Sequence, residues 1–300
     1  MALGPLRFNS QLRPLIWGGR RLETVLGRAL PEGEAIAESW ELVDLPGAVS
    51  VVDEGPHQGV PLDDLVSEQR ASLLGLSRLS PRGRFPLLVK LLDAHRMLSV
   101  QVHPSEESVT ALGDAEARPK TEAWFVLHAE PDARLLIGLR PGVGPAEVQE
   151  AIKGDGLPDL LVPHPAQAGD VFLIEAGTVH CLGSGVVLAE IQQPSDTTYR
   201  LYDWGRGRQL HVEAALKSIR WDRPAPRRSD DAVACEAFSA RWIRGGGPEV
   251  AMDRARVVVA TSAGRIGADL TLAPGDTILL PASCPSLVVE DADYIRVELP

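Results

Sequence analysis

Hydrophobic positions along this chain fall mostly into short runs with a period of two, broken by glycine, proline and acidic residues. Helical spacing is rare. Residues 37–44 alternate (Ala-Glu-Ser-Trp-Glu-Leu-Val-Asp) and residues 48–52 are rich in valine, which predicts a strand pair. Glu38 and Glu41 there face either solvent or a pocket. Residues 85–94 form an almost continuously apolar run, as in a strand buried on both faces. Its single lysine, Lys90, either reaches the surface along its own stem or points into a polar cavity. Ser99 to His103 alternate again, which puts Gln101 and His103 on one face, about two residue rises apart. Further strand patterns cover residues 120–127, 134–139, 169–174 and 186–193. Helical spacing marks residues 61–76, through Leu62, Leu65, Val66, Leu73 and Leu74, then part of 105–119, and 144–152 with Pro145 near its start. Many short strands with few long helices predict a mainly β fold, an antiparallel sandwich or jelly roll carrying short helices.

An internal echo refines the organisation. Gly275-Asp276-Thr277-Ile278-Leu279-Leu280-Pro281-Ala282 repeats the form of Gly169-Asp170-Val171-Phe172-Leu173-Ile174-Glu175-Ala176 at an offset of 106 residues. At that offset His180 corresponds to Ser286, so the second copy keeps the turn and strand but lacks the imidazole. Between the copies, residues 220–231 are charged and proline-rich and read as a solvated linker. The expected division is a jelly-roll domain over 1–222 and a smaller C-terminal β domain of similar pattern, without metal ligands, over 232–300.

Chemistry concentrates in the first part. Gln101 and His103 share a face, Glu122 lies in the next strand pattern, and His180 follows the turn at 169–170. Two imidazoles, a carboxylate and an amide oxygen make a mixed N/O set that suits zinc and tolerates manganese, cobalt or iron. No thiolate takes part, which points to a catalytic site with an open position. The three cysteines, Cys181, Cys235 and Cys284, include no CxxC pair and predict a reducing, cytoplasmic setting without disulfides. Forty-one acidic against 30 basic residues give a net charge of −11, which disfavours nucleic acid and anionic membranes as partners. No run of about 18 apolar residues occurs, so no membrane span is expected.

Several separated segments, in order, resemble the type I mannose-6-phosphate isomerases, zinc-dependent members of the cupin superfamily. They are Glu38-Ser39-Trp40-Glu41, Phe85 to Lys90, Leu98 to Pro104, Lys120-Thr121-Glu122, Ala176 to His180, Glu190 to Gln193 and Ser195 to Arg200. The resemblance covers roughly residues 5 to 220 and fits the short bacterial form. Departures are Ile16 before Trp-Gly-Gly, Arg118-Pro119 before Lys-Thr-Glu, and Glu175 in place of the cupin proline. The resemblance implies one zinc ion per chain on Gln101, His103, Glu122 and His180, an essential Arg200, and interconversion of mannose 6-phosphate and fructose 6-phosphate. Such an isomerisation needs a proton carrier and stabilisation of a developing oxyanion. Glu190 is the candidate base, and Ser99, Lys90 and Lys120 are candidates for binding the sugar phosphate. Alternatives on the same scaffold are a metal-dependent cupin oxygenase and a non-catalytic sugar-phosphate sensor. Oligomeric state is left open.

Overall fold

The structure, a computed structural model, describes residues 3–250 and 253–300. Strands dominate, and every α-helix among the described residues has seven residues or fewer. The expected helices occur at Leu62–Glu68, Arg70–Leu74, Glu106–Leu112 and Pro145–Ala151. Pro145 opens the last of these at a position where its missing N–H costs no hydrogen bond.

Four larger antiparallel sheets organise the chain. A six-stranded sheet, called here the Glu122 sheet, orders Val171–Ile174, Glu122–Ala129, Val186–Gln192, Leu88–Ala94, Glu38–Leu42 and Gln11–Arg13. Facing it, the His180 sheet orders Leu161–Pro165, Arg134–Leu139, His180–Leu182, Val100–Val102 and Tyr199–Tyr202. Trp124, Val126, Phe172 and Leu188 from the first pack between them on Leu135, Ile137 and Leu182 from the second. This is the expected sandwich, and its open end holds the polar residues.

The C-terminal part builds a second sandwich. Its six-stranded Arg256 sheet orders Leu6–Arg7, Thr277–Leu280, Arg256–Ala260, Tyr294–Glu298, Ser239–Ile243 and Ala232–Ala234. A four-stranded sheet of Gly246–Glu249, Leu287–Glu290, Gly264–Ile266 and Leu270–Leu272 completes it. The two large sheets meet back to back: Val89, Leu91, Phe125 and Ile191 share one apolar core with Val257, Val259, Leu279, Ile295 and Val297. Both large sheets are therefore covered on both faces, which is why their central strands read as continuous apolar runs. The strand Leu6–Arg7 pairs with Thr277–Leu280, so the first strand of the chain is part of the C-terminal sandwich.

Two local expectations change. Residues 220–229 are not a free linker: Ser229 N–H donates to the Val171 carbonyl at 2.8 Å, and Arg228 pairs with Asp170 at 3.0 Å. Glu41 does not face solvent. It is 4 % exposed, accepts from the Ser39 hydroxyl at 2.5 Å and pairs with Arg28 at 3.1 Å.

Candidate active site

Cross-strand register explains how distant residues converge, because direct partners in neighbouring strands share a face. In the His180 sheet, Gln101 pairs with His180 on one side and Arg200 on the other. In the Glu122 sheet, Glu190 lies between Lys90 and Trp124, and Gln192 lies opposite Glu122. The two rows face each other across the open end of the sandwich.

His103, Glu122 and His180 are all buried, and their candidate ligand atoms lie within 4.8 Å of one another. Glu122 Oε2 is 3.3 Å from His103 Nε2, and Oε1 is 3.5 Å from His180 Nε2. Each ring is oriented from behind. His103 Nδ1 donates to the Thr197 carbonyl and His180 Nδ1 to the Thr178 carbonyl, both at 2.9 Å, which leaves each Nε2 with a lone pair toward Glu122. Burial, with Lys120 beside it, pushes the His103 imidazole down to about 3, and burial lowers His180. Both rings are therefore neutral, as metal ligation requires. Both Glu122 oxygens are buried and lack a well-formed hydrogen bond; the Lys120 ammonium stands 2.8 Å from Oε2, which leaves Oε1, on the side of His180, for a bound cation to satisfy. Gln101 Nε2 stands 3.2 Å from His180 Nε2, and Ser99 Oγ donates to Gln101 Oε1 at 3.0 Å. Rotating the amide by 180° turns its oxygen toward the cluster and its nitrogen toward the Ser99 hydroxyl, which then accepts. The residues present can hold a metal ion.

Beside the cluster runs a row of alternating charges. Lys120 Nζ lies 2.8 Å from Glu122 Oε2 and 3.8 Å from Glu190 Oε1. Lys90 Nζ lies 3.5 Å from the same Glu190 oxygen and 3.4 Å from Glu38 Oε2. Lys90 is 3 % exposed, so it points inward and does not reach the surface. Burial alone would lower its ammonium, but Glu38 and Glu190 outweigh that and hold it raised. Burial opposes the charge on Glu38, yet Lys90 and the Trp40 indole N–H, which donates to Oε2 at 2.6 Å, keep its carboxyl lowered. For Glu190, burial and then Glu122 push the carboxyl up against Lys120 and Lys90. Its other oxygen accepts from Trp124 Nε1 at 3.2 Å.

These groups line a cavity of about 570 Å³. Ser99, Gln101, Lys90, Lys120, Glu190 and Arg200 are all on its wall, and the metal-type cluster lies behind Gln101 and Lys120. Arg200 is half-buried, and among the described residues it forms no salt bridge. Sequence reasoning missed Arg13, Arg208, Trp17, Trp40 and Asp196, which also line the wall. Arg13 and Lys90 lie against the Trp40 ring, at 4.5 and 5.0 Å from its centroid. Arg13 reaches the cavity because its strand pairs with Glu38–Leu42, a pairing with no local signal in the sequence.

Two antiparallel sheets enclosing a His, Glu, His cluster at their open end define a cupin-type β-sandwich able to hold a metal ion. Known proteins narrow that class. A family model described as phosphomannose isomerase type I, catalytic domain, matches residues 6–123. A mannose-6-phosphate isomerase of Streptococcus mutans is 40% identical over 227 residues, 74% of this chain and 69% of that protein. The mannose-6-phosphate isomerase ManA of Bacillus subtilis is 34% identical over 225 residues, 73% of this chain and 69% of that protein. The crystal structure of a mannose 6-phosphate isomerase from Bacillus subtilis superposes with a TM-score of 0.86 at 25% identity, covering 99% of this chain and 100% of that one. The chain belongs to the type I phosphomannose isomerases.

Proposed function

We propose that this chain interconverts mannose 6-phosphate and fructose 6-phosphate by moving a proton between C1 and C2 through an enediol. The observation that carries the reading is the buried cluster of His103, Glu122 and His180 beside a cavity lined by Lys120, Glu190 and Arg200. In this reading His103 Nε2, His180 Nε2, a Glu122 oxygen and the Gln101 amide oxygen hold one zinc ion. Zinc held there would supply the Lewis acidity that polarises the substrate's carbonyl.

The remaining work falls to side chains on the cavity wall. Glu190 takes the proton from C2 and returns it to C1, while the hydroxyl proton passes from O2 to O1 of the enediol, and the reverse reaction runs the same transfers backwards. Its buried carboxyl, raised from the ordinary value, suits a base that must release the proton again. Lys90 and Lys120 flank it and hold the carboxylate in place. Arg200 stabilises the negative charge that develops on the substrate oxygens. Ser99, Lys90 and Lys120 bind the sugar phosphate, and Arg200 and Arg208 add positive charge for a dianion that an acidic protein must otherwise repel. In this reading residues 1–222 supply the catalytic unit, apart from the strand Leu6–Arg7, which joins residues 232–300 in the smaller β unit without ligands. No helix among the described residues is long and apolar enough to cross a membrane.

The test is a coupled assay of fructose 6-phosphate formation from mannose 6-phosphate. Wild type is active, His103→Ala is inactive, and chelated wild type regains activity with zinc. Well-folded, zinc-loaded wild type without turnover would overturn the reading.

A further inference from the structure

Residues 220–229 run along Val171–Ile174, the outermost strand of the Glu122 sheet. Two of their contacts grip the turn that follows this strand, residues 175–178. Arg220 N–H donates to the Gly177 carbonyl at 3.0 Å, and Arg223 Nη1 pairs with Glu175 Oε2 at 2.5 Å. The fit is close. Gly177 has φ +89°, and a Cβ there would lie 2.4 Å from Arg220 Cγ.

The same turn is bonded to the segments that carry all three members of the metal-type cluster. Gly177 N–H donates to the His103 carbonyl at 2.8 Å. Ala176 N–H donates to Thr121 Oγ1, next to Glu122, at 3.1 Å. The Thr178 carbonyl accepts from His180 Nδ1 at 2.9 Å. A displacement of this turn therefore moves the His103 backbone, the start of the Glu122 strand and the His180 ring together. On its outer side the turn is held by Arg220 and Arg223.

We propose that residues 220–223 are a positioning strap for this turn and slow release of the metal ion from His103, Glu122 and His180. Arg223 touches neither the cavity nor the cluster, so it acts through Glu175 and the turn. The proposal rests on the metal-site reading above.

The experiment loads the full-length protein with zinc, adds an excess of a chromophoric chelator and follows zinc release. Arg223→Ala should release zinc about two- to fivefold faster, the effect of losing one partly exposed ion pair. The double variant Glu175→Arg with Arg223→Glu should return the rate close to wild type. Arg265→Ala, which breaks an exposed pair with Glu290 in the second sandwich, should leave it unchanged. The thermal midpoint of the metal-free protein should fall by no more than about 2 °C for Arg223→Ala, the cost of one such pair in a chain of this size. Release from Arg223→Ala at the wild-type rate would overturn the strap, as would a double variant no better than the single one. A fall in the metal-free thermal midpoint of more than about 2 °C would make Arg223 a general stability residue and overturn it too. A wild type that takes up no zinc would instead overturn the metal site, and the strap's role with it.

Discussion

In the first sandwich a turn at Gly169 and Asp170 leads into the outer strand of the large sheet; in the second, Gly275 and Asp276 build the same turn. The glycines have φ +96° and +90°. Asp170 Oδ2 accepts from Gln167 N–H and Asp276 Oδ2 from Ala273 N–H, each at 2.9 Å. Register then continues in parallel, with Ile174 opposite Glu122 and Leu280 opposite Arg256. One strand further, Glu190 lies opposite Trp124, and Arg296 lies opposite Val258. The positions of two carboxylates in the first sheet are thus held by two guanidinium groups in the second.

Arg256 and Arg296 both pair with the fully buried Glu249, at 2.8 and 2.6 Å, and the Tyr294 hydroxyl donates to the same carboxylate. The second sandwich therefore carries its cations covalently and satisfies its buried carboxylate within the protein. In the first, Glu122 stands between two neutral imidazoles with the Lys120 ammonium 2.8 Å from Oε2 and no hydrogen bond on Oε1. One backbone plan serves both. The residue opposite the strand after the turn decides whether the interior turns a carboxylate oxygen toward an imidazole or closes two guanidinium groups on one carboxylate.

The largest expected effect comes from separating the two sandwiches. Truncation after residue 222 uncovers Val89, Leu91, Phe125 and Ile191 and removes the strand partner of Leu6–Arg7, so the fragment should aggregate and lose turnover. Size-exclusion chromatography with the coupled assay checks this. A monomeric, active fragment would make the second sandwich dispensable. Next is Glu122→Arg, which imports the residue of the second sheet. It should abolish zinc binding, measured by metal analysis, and lower kcat on the order of 10³-fold or more, because the Lewis acid and its ligand are lost together. Retained zinc would break the comparison.

Arg200→Ala should leave zinc content intact and lower kcat by about 10²- to 10³-fold, the usual cost of removing one preorganised group that stabilises developing negative charge. Steady-state kinetics on the zinc-loaded variant tests it; a change in KM alone would assign Arg200 to binding. The smallest effect is expected in the second sandwich. Arg256→Leu leaves Glu249 with Arg296 and Tyr294 and should cost about 2–3 kcal/mol, seen by calorimetry as a thermal midpoint roughly 5 °C lower. Zinc content and kcat should not change.

Alternation and apolar runs placed the strands Leu88–Ala94, Glu122–Ala129, Arg134–Leu139 and Val186–Gln192 close to where they occur, because a pleated strand records its burial residue by residue. The echo at 106 residues was also legible, since a left-handed glycine followed by a turn-capping aspartate is a local requirement. That offset aligns Glu190 with Arg296 but cannot align Glu122 with Arg256. The first sandwich inserts the helix Pro145–Ala151 and its loops between the Glu122 strand and the turn, and the second does not. The replacement of the Glu122 carboxylate by arginine became visible only in the strand register.

Lys90 marks the same limit. Its unusual place in an apolar run was plain, but whether it reached solvent depended on Glu38 and Glu190, which come from other strands. The arginines of 220–229 read as solvated because charge and proline are local properties; their partners Asp170 and Glu175 lie some 50 residues earlier. By itself the sequence determined the strand-rich class, the repeated turn and the types of side chain available for a metal and a sugar phosphate. All of these follow from local periodicity and chemistry. Tertiary structure decided which of those side chains face one another, which buried charges are already paired and which are left to a ligand. Strand register and sheet packing set these distances between residues far apart in the chain, and pairwise interactions of charge depend on distance.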